Sequence, residues 1–176
     1  MTMGKLMKND TIVLRPLEPT DLDILYKWEN DSALWVVSDT VAPYSRAALW
    51  QYLENYTGDI YAQRQLRLMI SLASDGTPVG TIDFLNFDPL NNRAELGLFI
   101  ALEHRGKGLG HEALELLTAY AREHLGLRQL YVYIALDNTV CLKMFEDYGY
   151  RRVGIIQSWV KRGSTYRDAA LLQMIL

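Results

Sequence analysis

A single cysteine, Cys141, stands in a chain of 176 residues, so no intramolecular disulfide can staple the fold, and the chain suits a reducing compartment. Cations are also short: 18 Lys and Arg face 21 Asp and Glu, a formal net charge of -3. Without a global positive field, binding to a polyanionic backbone loses its usual support. Long apolar runs are missing too. The longest, around "LGLFIAL", falls far short of the roughly 20 residues that span a bilayer, and "MTMGKLMKND" has no apolar core of a secretory signal. A cytoplasmic protein with no membrane and no nucleic-acid partner is expected. His104, His111 and His124 form no ligand cluster, so no metal site is expected either.

What is present fits one globular domain: 49% apolar and 22% charged residues, with no linker, repeat or low-complexity segment. The domain is placed at 11–176, and the polar residues 1–10 are expected to fray. A strand around Ile12 to Leu14 is stopped by Pro16 and Pro19, and a helix follows through "DLDILYKWEN". A second helix covers "SRAALWQYLENY", with Ser45 as N-cap and Gly58 just past its end. From Arg67 the period changes to two: "RLMISLA", "VGTIDFLNF" and "RAELGLFIAL", joined by tight turns, read as an antiparallel meander. An amphipathic helix ended by Gly126, the strand "QLYVYIAL", a helix closed by Gly149 and two last strands complete a mixed α/β order, β-α-α-β-β-β-α-β-α-β-β.

The glycines of "HRGKGLGHEALELL" need a reason, because each costs roughly 1 kcal/mol in a helix start relative to alanine. Free amides at a helix N-terminus, with Arg105 and Lys107 beside them, suit a diphosphate. Lys107 is followed by Gly108 and not by Ser or Thr, which argues against a Walker A loop. The G-x-G-x-G spacing after a third antiparallel strand argues against a dinucleotide fingerprint.

"RGKGLG" matches R-x-x-G-x-G and resembles the acyl-coenzyme A loop of the GNAT superfamily of N-acetyltransferases. "IVLRPLEPTDL", "GTPVGTIDF" and "LDNTVCLKMFEDYGY" resemble, in order, that family's first strand and turn, central hairpin, and last strand, helix and Gly-aromatic corner. The branch containing ribosomal-protein N-terminal and spermidine N-acetyltransferases looks most similar. The resemblance implies a mostly antiparallel twisted sheet splayed at a parallel strand pair, flanked by about four helices, and acetyl transfer from acetyl-CoA to a small-molecule amine or a peptide N-terminus. A non-catalytic acyl-CoA sensor is the alternative.

By the same resemblance, the backbone of Leu98, Phe99 and Ile100 would bind pantetheine, the amides of Arg105, Gly106, Lys107, Gly108, Leu109 and Gly110 would hold the pyrophosphate, and Asn138 would touch the pantetheine arm. The side chains of Leu98, Phe99 and Ile100 read as core. A primary amine has a pKa near 10.4, so transfer needs a proton acceptor, and Glu95 is the candidate. A hairpin glutamate paired across the strand or with nearby Arg93 is the plainer reading. Spermidine acetyltransferases of this branch carry an acid tyrosine where this chain has Phe145. Cys141, one turn after Asn138, can lend a proton to the departing sulfur, or it is simply a packed apolar residue. Tyr148 is a fallback acid. Trp28, Glu29, Asp31 and Tyr166, with Trp35, Tyr44, Trp159 and Asp168 nearby in the same segments, are candidates for holding a cationic substrate, or are ordinary surface. A homodimer or higher homo-oligomer is implied by resemblance alone.

Overall fold

The first strand, β1 (Ile12–Arg15), buries alternate residues and ends at a turn fixed by charge. Asp21, buried at the end of a 3-10 turn, accepts hydrogen bonds from the Arg15 guanidinium at 2.8 and 2.7 Å and from the Glu18 amide at 2.8 Å. Helix α1 (Leu22–Glu29) starts directly from it. Helix α2 (Arg46–Asn55) starts as expected at Ser45, whose hydroxyl accepts from the Ala48 amide at 3.1 Å. A four-residue helix, α3 (Ile60–Gln63), was not expected: it is too short to show a period, and its signal is the Asp59 carboxylate capping the amides of Tyr61 and Ala62.

This computed structural model describes residues 6–35 and 40–176. Of the ten residues expected to fray, 1–5 lie outside the described residues. Residues 6–10 fold back on β1: Leu6 is buried, Met7 accepts a hydrogen bond from the Leu14 amide at 2.7 Å, and Lys8 bridges Val13. The Asn9 carboxamide holds that reversal by accepting from the amides of Thr11 and Ile12.

Strands β2 (Leu66–Leu72), β3 (Pro78–Asp88) and β4 (Arg93–Ile100) form the meander. Helix α4 (Leu109–Glu123) follows, then β5 (Gln129–Ala135), helix α5 (Thr139–Tyr148), β6 (Arg151–Arg162) and β7 (Thr165–Ile175). Together they make one seven-stranded sheet in the order β1-β2-β3-β4-β5-β7-β6, antiparallel except for β4 and β5. That is the mostly antiparallel sheet with one parallel pair that the sequence implies.

The main core joins α4 to the strand residues Leu68, Ile82, Phe84 and Leu96, with Ala113, Leu117 and Ala121 fully buried on the stripe their spacing predicts. A fully buried leucine such as Leu117 contributes roughly 1.5–3 kcal/mol through lost apolar surface. A second, smaller core gathers Leu25, Trp28, Leu53 and Met69 with the partly buried Phe99, so α1 and α2 cover the face on which Phe99 lies.

Candidate active site

Parallel pairing between β4 and β5 lasts only three steps, Arg93 with Gln129, Ala94 with Leu130 and Glu95 with Tyr131, and then the strands part. Beyond Glu95, the segment Leu98–Phe99–Ile100 is paired on its β3 side with Ile82, Thr81 and Gly80 and on its other side faces the opening. Apart from the Ile100 carbonyl, which accepts from Arg105, backbone groups on that side have no strand to pair with and are open to an extended ligand arm. The side chains behave as core: Leu98 and Ile100 pack on the main cluster, and Phe99 packs edge-on against Trp28, with ring centroids 5.2 Å apart.

The glycine loop closes one end of this opening, and its three glycines have different jobs. Gly106 and Gly108 hold φ of +72° and +79°, where other residues are strained, and a Cβ at either would meet open space. Backbone shape, not crowding, requires them. Gly110 is a packing glycine: its Cβ would stand 3.2 Å from the Met144 sulfur and 3.5 Å from Leu98. Gly108 is the N-cap of α4 and contributes no capping side chain, so the amides that begin the helix stay available to an anion. Arg105 and Lys107 are exposed, and each side chain donates to the backbone nearby, Arg105 to the Ile100 carbonyl at 2.8 Å and Lys107 to the Glu103 carbonyl at 3.1 Å.

Glu95 sits where the two strands separate, on the Gly97 and Phe99 face, opposite Leu85 on β3 and Tyr131 on β5. Its carboxylate accepts a hydrogen bond from Asn86 at 2.8 Å, and it is half-buried. The cross-strand partner that the plainer reading allows is therefore present in Asn86, and Arg93 reaches Asp88 at 3.1 Å. Burial, followed by the charge of Glu95, holds the Tyr131 phenol above its usual value, which marks the two groups as close.

On the far side of the opening, Asn138 caps α5 by accepting from the Cys141 amide at 3.3 Å. Cys141 is partly buried against the main core, and burial pushes its thiol up to about 11. A thiol of that kind donates a hydrogen bond and is a poor nucleophile, which fits direct transfer better than an acyl-enzyme. Burial disfavours the thiolate, so alkylation by iodoacetamide is expected to be slow at pH 8 and to accelerate toward pH 11. Labelling kinetics across that range check this, and fast labelling at pH 8 would contradict it. Phe145 is 1% exposed and packs edge-on against Tyr150, so it is a core residue. Tyr148, half-buried and edge-on to His111 at 5.3 Å, has its phenol raised by burial.

Of the candidates for holding substrate, Trp28 is buried as a wall behind Phe99, and Glu29 accepts from Arg67 at 3.1 Å. The Asp31 carboxylate caps the Ala33 amide at 3.0 Å. Tyr166 is exposed on β7, two strands over from β4 in the sheet. The structure thus brings Trp28 and Glu29 to the Phe99 face and leaves Tyr166 on the outer hairpin.

The same face holds a group that sequence reasoning missed. Arg67 on β2 donates to Asp83 on β3 at 2.6 Å and to Glu29, and Asp83 lies across from Gly97, where a Cβ would stand 3.4 Å from the carboxylate. Burial raises the Asp83 carboxyl, and Arg67 partly offsets this. The Tyr52 hydroxyl and the Trp28 indole N–H lie buried in this layer with no hydrogen-bond partner among the described residues, and burial pushes the Tyr52 phenol up to about 12. The available signal was a lone aspartate inside the apolar strand "VGTIDFLNF".

Among the described residues there is no group of three or more His, Cys, Asp or Glu able to hold a metal, and no helix long and apolar enough to cross a membrane. A family model described as an acetyltransferase (GNAT) domain matches residues 11–151. A putative ribosomal N-acetyltransferase of Bacillus subtilis is 30% identical over 161 residues, 83% of this chain and 81% of the relative. The spermidine N(1)-acetyltransferase of Escherichia coli is 25% identical over 162 residues, 90% of this chain and 83% of the relative. Among solved structures, a spermidine N-acetyltransferase from Vibrio cholerae in complex with CoA and spermine superimposes with a TM-score of 0.82 at 22% identity, covering 95% of this chain and 96% of that one.

Proposed function

Because the chain belongs to the GNAT acetyltransferase family and is an acetyl-CoA-dependent N-acetyltransferase, we propose that it acetylates a primary amine, of a polyamine-like molecule or a protein N-terminus, by direct attack in the opening between β4 and β5. The observation that carries this reading is the end of β4–β5 pairing at Glu95 and Tyr131, which puts a carboxylate at the head of an unpaired backbone edge.

Acetyl-CoA supplies an activated acyl carbon. The edge of Leu98, Phe99 and Ile100 orients the pantetheine arm, with the –NH2 of Asn138 opposite, and the amides from Arg105 to Gly110 take the pyrophosphate with Arg105 and Lys107 adding charge. Glu95 accepts the amine proton, directly or through one water, as the C–N bond forms and the C–S bond breaks. The Cys141 thiol donates a hydrogen bond to the departing sulfur. Trp28 walls the acceptor side, and Glu29, paired with Arg67, stands on the same face.

We place the protein in the cytoplasm as a homo-oligomer. Val153, Ile155 and Trp159 are exposed along β6, the sheet's last strand, and a second copy of the chain would cover them. The test is mass spectrometry of amines incubated with enzyme and acetyl-CoA, spermidine in one arm and N-terminal peptides in another. A mass gain of one acetyl group on the amine is expected. Consumption of acetyl-CoA with no acetylated amine in either arm would overturn the reading.

A further inference from the structure

Asn86 lies in an interruption of β3 that the catalytic reading does not by itself require. Leu85 pairs with Glu95 and Asp88 pairs with Arg93, so Asn86 and Phe87 together oppose the single residue Ala94. This is a β-bulge, a device that re-aims side chains. The bulge reverses the alternation of the strand: Phe84 and Phe87, three residues apart, both enter the main core.

Asn86 absorbs the change with φ of +47°, a left-handed conformation that asparagine tolerates better than most residues. The neighbouring turn is anchored independently. The Phe87 amide donates to the Arg64 carbonyl at 3.0 Å, and the Tyr61 ring packs edge-on against Phe87 at 5.2 Å. Thus α3 clamps the bulge from one side. On the other, the Asn86 carboxamide donates to the Glu95 carboxylate at 2.8 Å.

We propose that Asn86 is a positioning residue whose carboxamide, aimed by the bulge, fixes the orientation of the Glu95 carboxylate and keeps it ionised for the incoming amine. This rests on the reading of Glu95 as proton acceptor. A hydrogen bond donated to a carboxylate favours its charged form, the form needed both to attract an ammonium group and to take its proton. Tyr131 on β5 lies opposite Glu95, and Arg93 on the same strand and Asp88 at the end of β3 lie near Tyr131.

Asn86→Gly separates this role from a structural one, because glycine accepts the left-handed backbone and removes only the carboxamide. Asn86→Asp keeps the shape and sets a second carboxylate against Glu95. Asn86→Gly is expected to retain the wild-type melting temperature, lose about tenfold in kcat/KM for the amine, and move the acidic limb of the pH profile upward. Asn86→Asp is expected to move that limb further.

In a Glu95→Gln background, Asn86→Gly should cost nothing more, since a residue acting through Glu95 has nothing left to position. Wild-type kcat/KM and an unmoved pH profile for Asn86→Gly, beside an impaired Glu95→Gln, would overturn the proposal while leaving Glu95 as the acceptor. An independent tenfold loss in the Glu95→Gln background would overturn it as well. Full activity of Glu95→Gln alone would remove the reading on which it rests.

Discussion

Glu95→Gln is expected to lower kcat/KM for the amine by about 10²–10⁴-fold, the usual contribution of a placed general base, while leaving the affinity for acetyl-CoA and the melting temperature near wild type. The separation follows from geometry. The edge proposed for pantetheine begins at Leu98 and the loop amides lie beyond Ile100, so neither includes the Glu95 side chain. Glutamine keeps the size of glutamate and can still engage Asn86, so only charge and basicity are removed. The residual rate should climb with pH. A primary amine has a pKa near 10.4, and each unit below it makes the neutral form about tenfold scarcer; raising pH therefore does part of the work proposed for Glu95. Steady-state kinetics between pH 7 and pH 10 check both statements. An unchanged kcat/KM at pH 7 would contradict the first, and a flat profile would contradict the second.

The other large effect concerns stability. Arg67→Met is expected to cost about 3–5 kcal/mol in urea denaturation, because it leaves a buried carboxylate without its counter-charge. Asp83 is 5% exposed, so water cannot replace the guanidinium that donates to it at 2.6 Å. Glu29 is the more solvated partner and loses less. The pH dependence has a defined sign. Burial raises the Asp83 carboxyl and Arg67 pulls it back, so without Arg67 it lies higher still in the folded state. A carboxyl raised on folding stabilises below its unfolded pKa, near 3.9, and loses that contribution as pH rises through the folded value. The gap between variant and wild type should therefore narrow on acidification. Arg67→Met combined with Asp83→Leu should recover most of the loss, since an apolar pair removes the unpaired charge. A double variant no more stable than Arg67→Met would argue that the ion pair is not the source of the cost.

Much of the architecture was legible because its signals are local. The period of two from Arg67 to Ile100 gave the meander, the stripe of Ala113, Leu117 and Ala121 gave the buried face of α4, and Ser45 and Gly149 marked helix ends where capping demands them. The glycine loop was readable because Gly106 and Gly108 occupy backbone conformations that other side chains disfavour. Signals that depend on pairing between distant segments were not. Arg67, Asp83 and Glu29 are separated in sequence and meet only through the register of β2 with β3 and the packing of α1. Asn86 reaches Glu95 through a bulge, and a one-residue slip leaves no mark in an apolar strand until its partner is known. Residues 6–10 looked like a polar tail because the asparagine turn that returns them to β1 has no hydrophobic period.

The most direct measurement is the initial rate of coenzyme A thiol release at saturating acetyl-CoA, with and without spermidine or an N-terminal peptide, for the wild type and for Glu95→Gln. The account predicts release that depends on an amine in the wild type and falls steeply in the variant. Tight binding of acetyl-CoA with the same slow release whether or not an amine is present would contradict it, and would describe a protein that holds the acyl donor without using it.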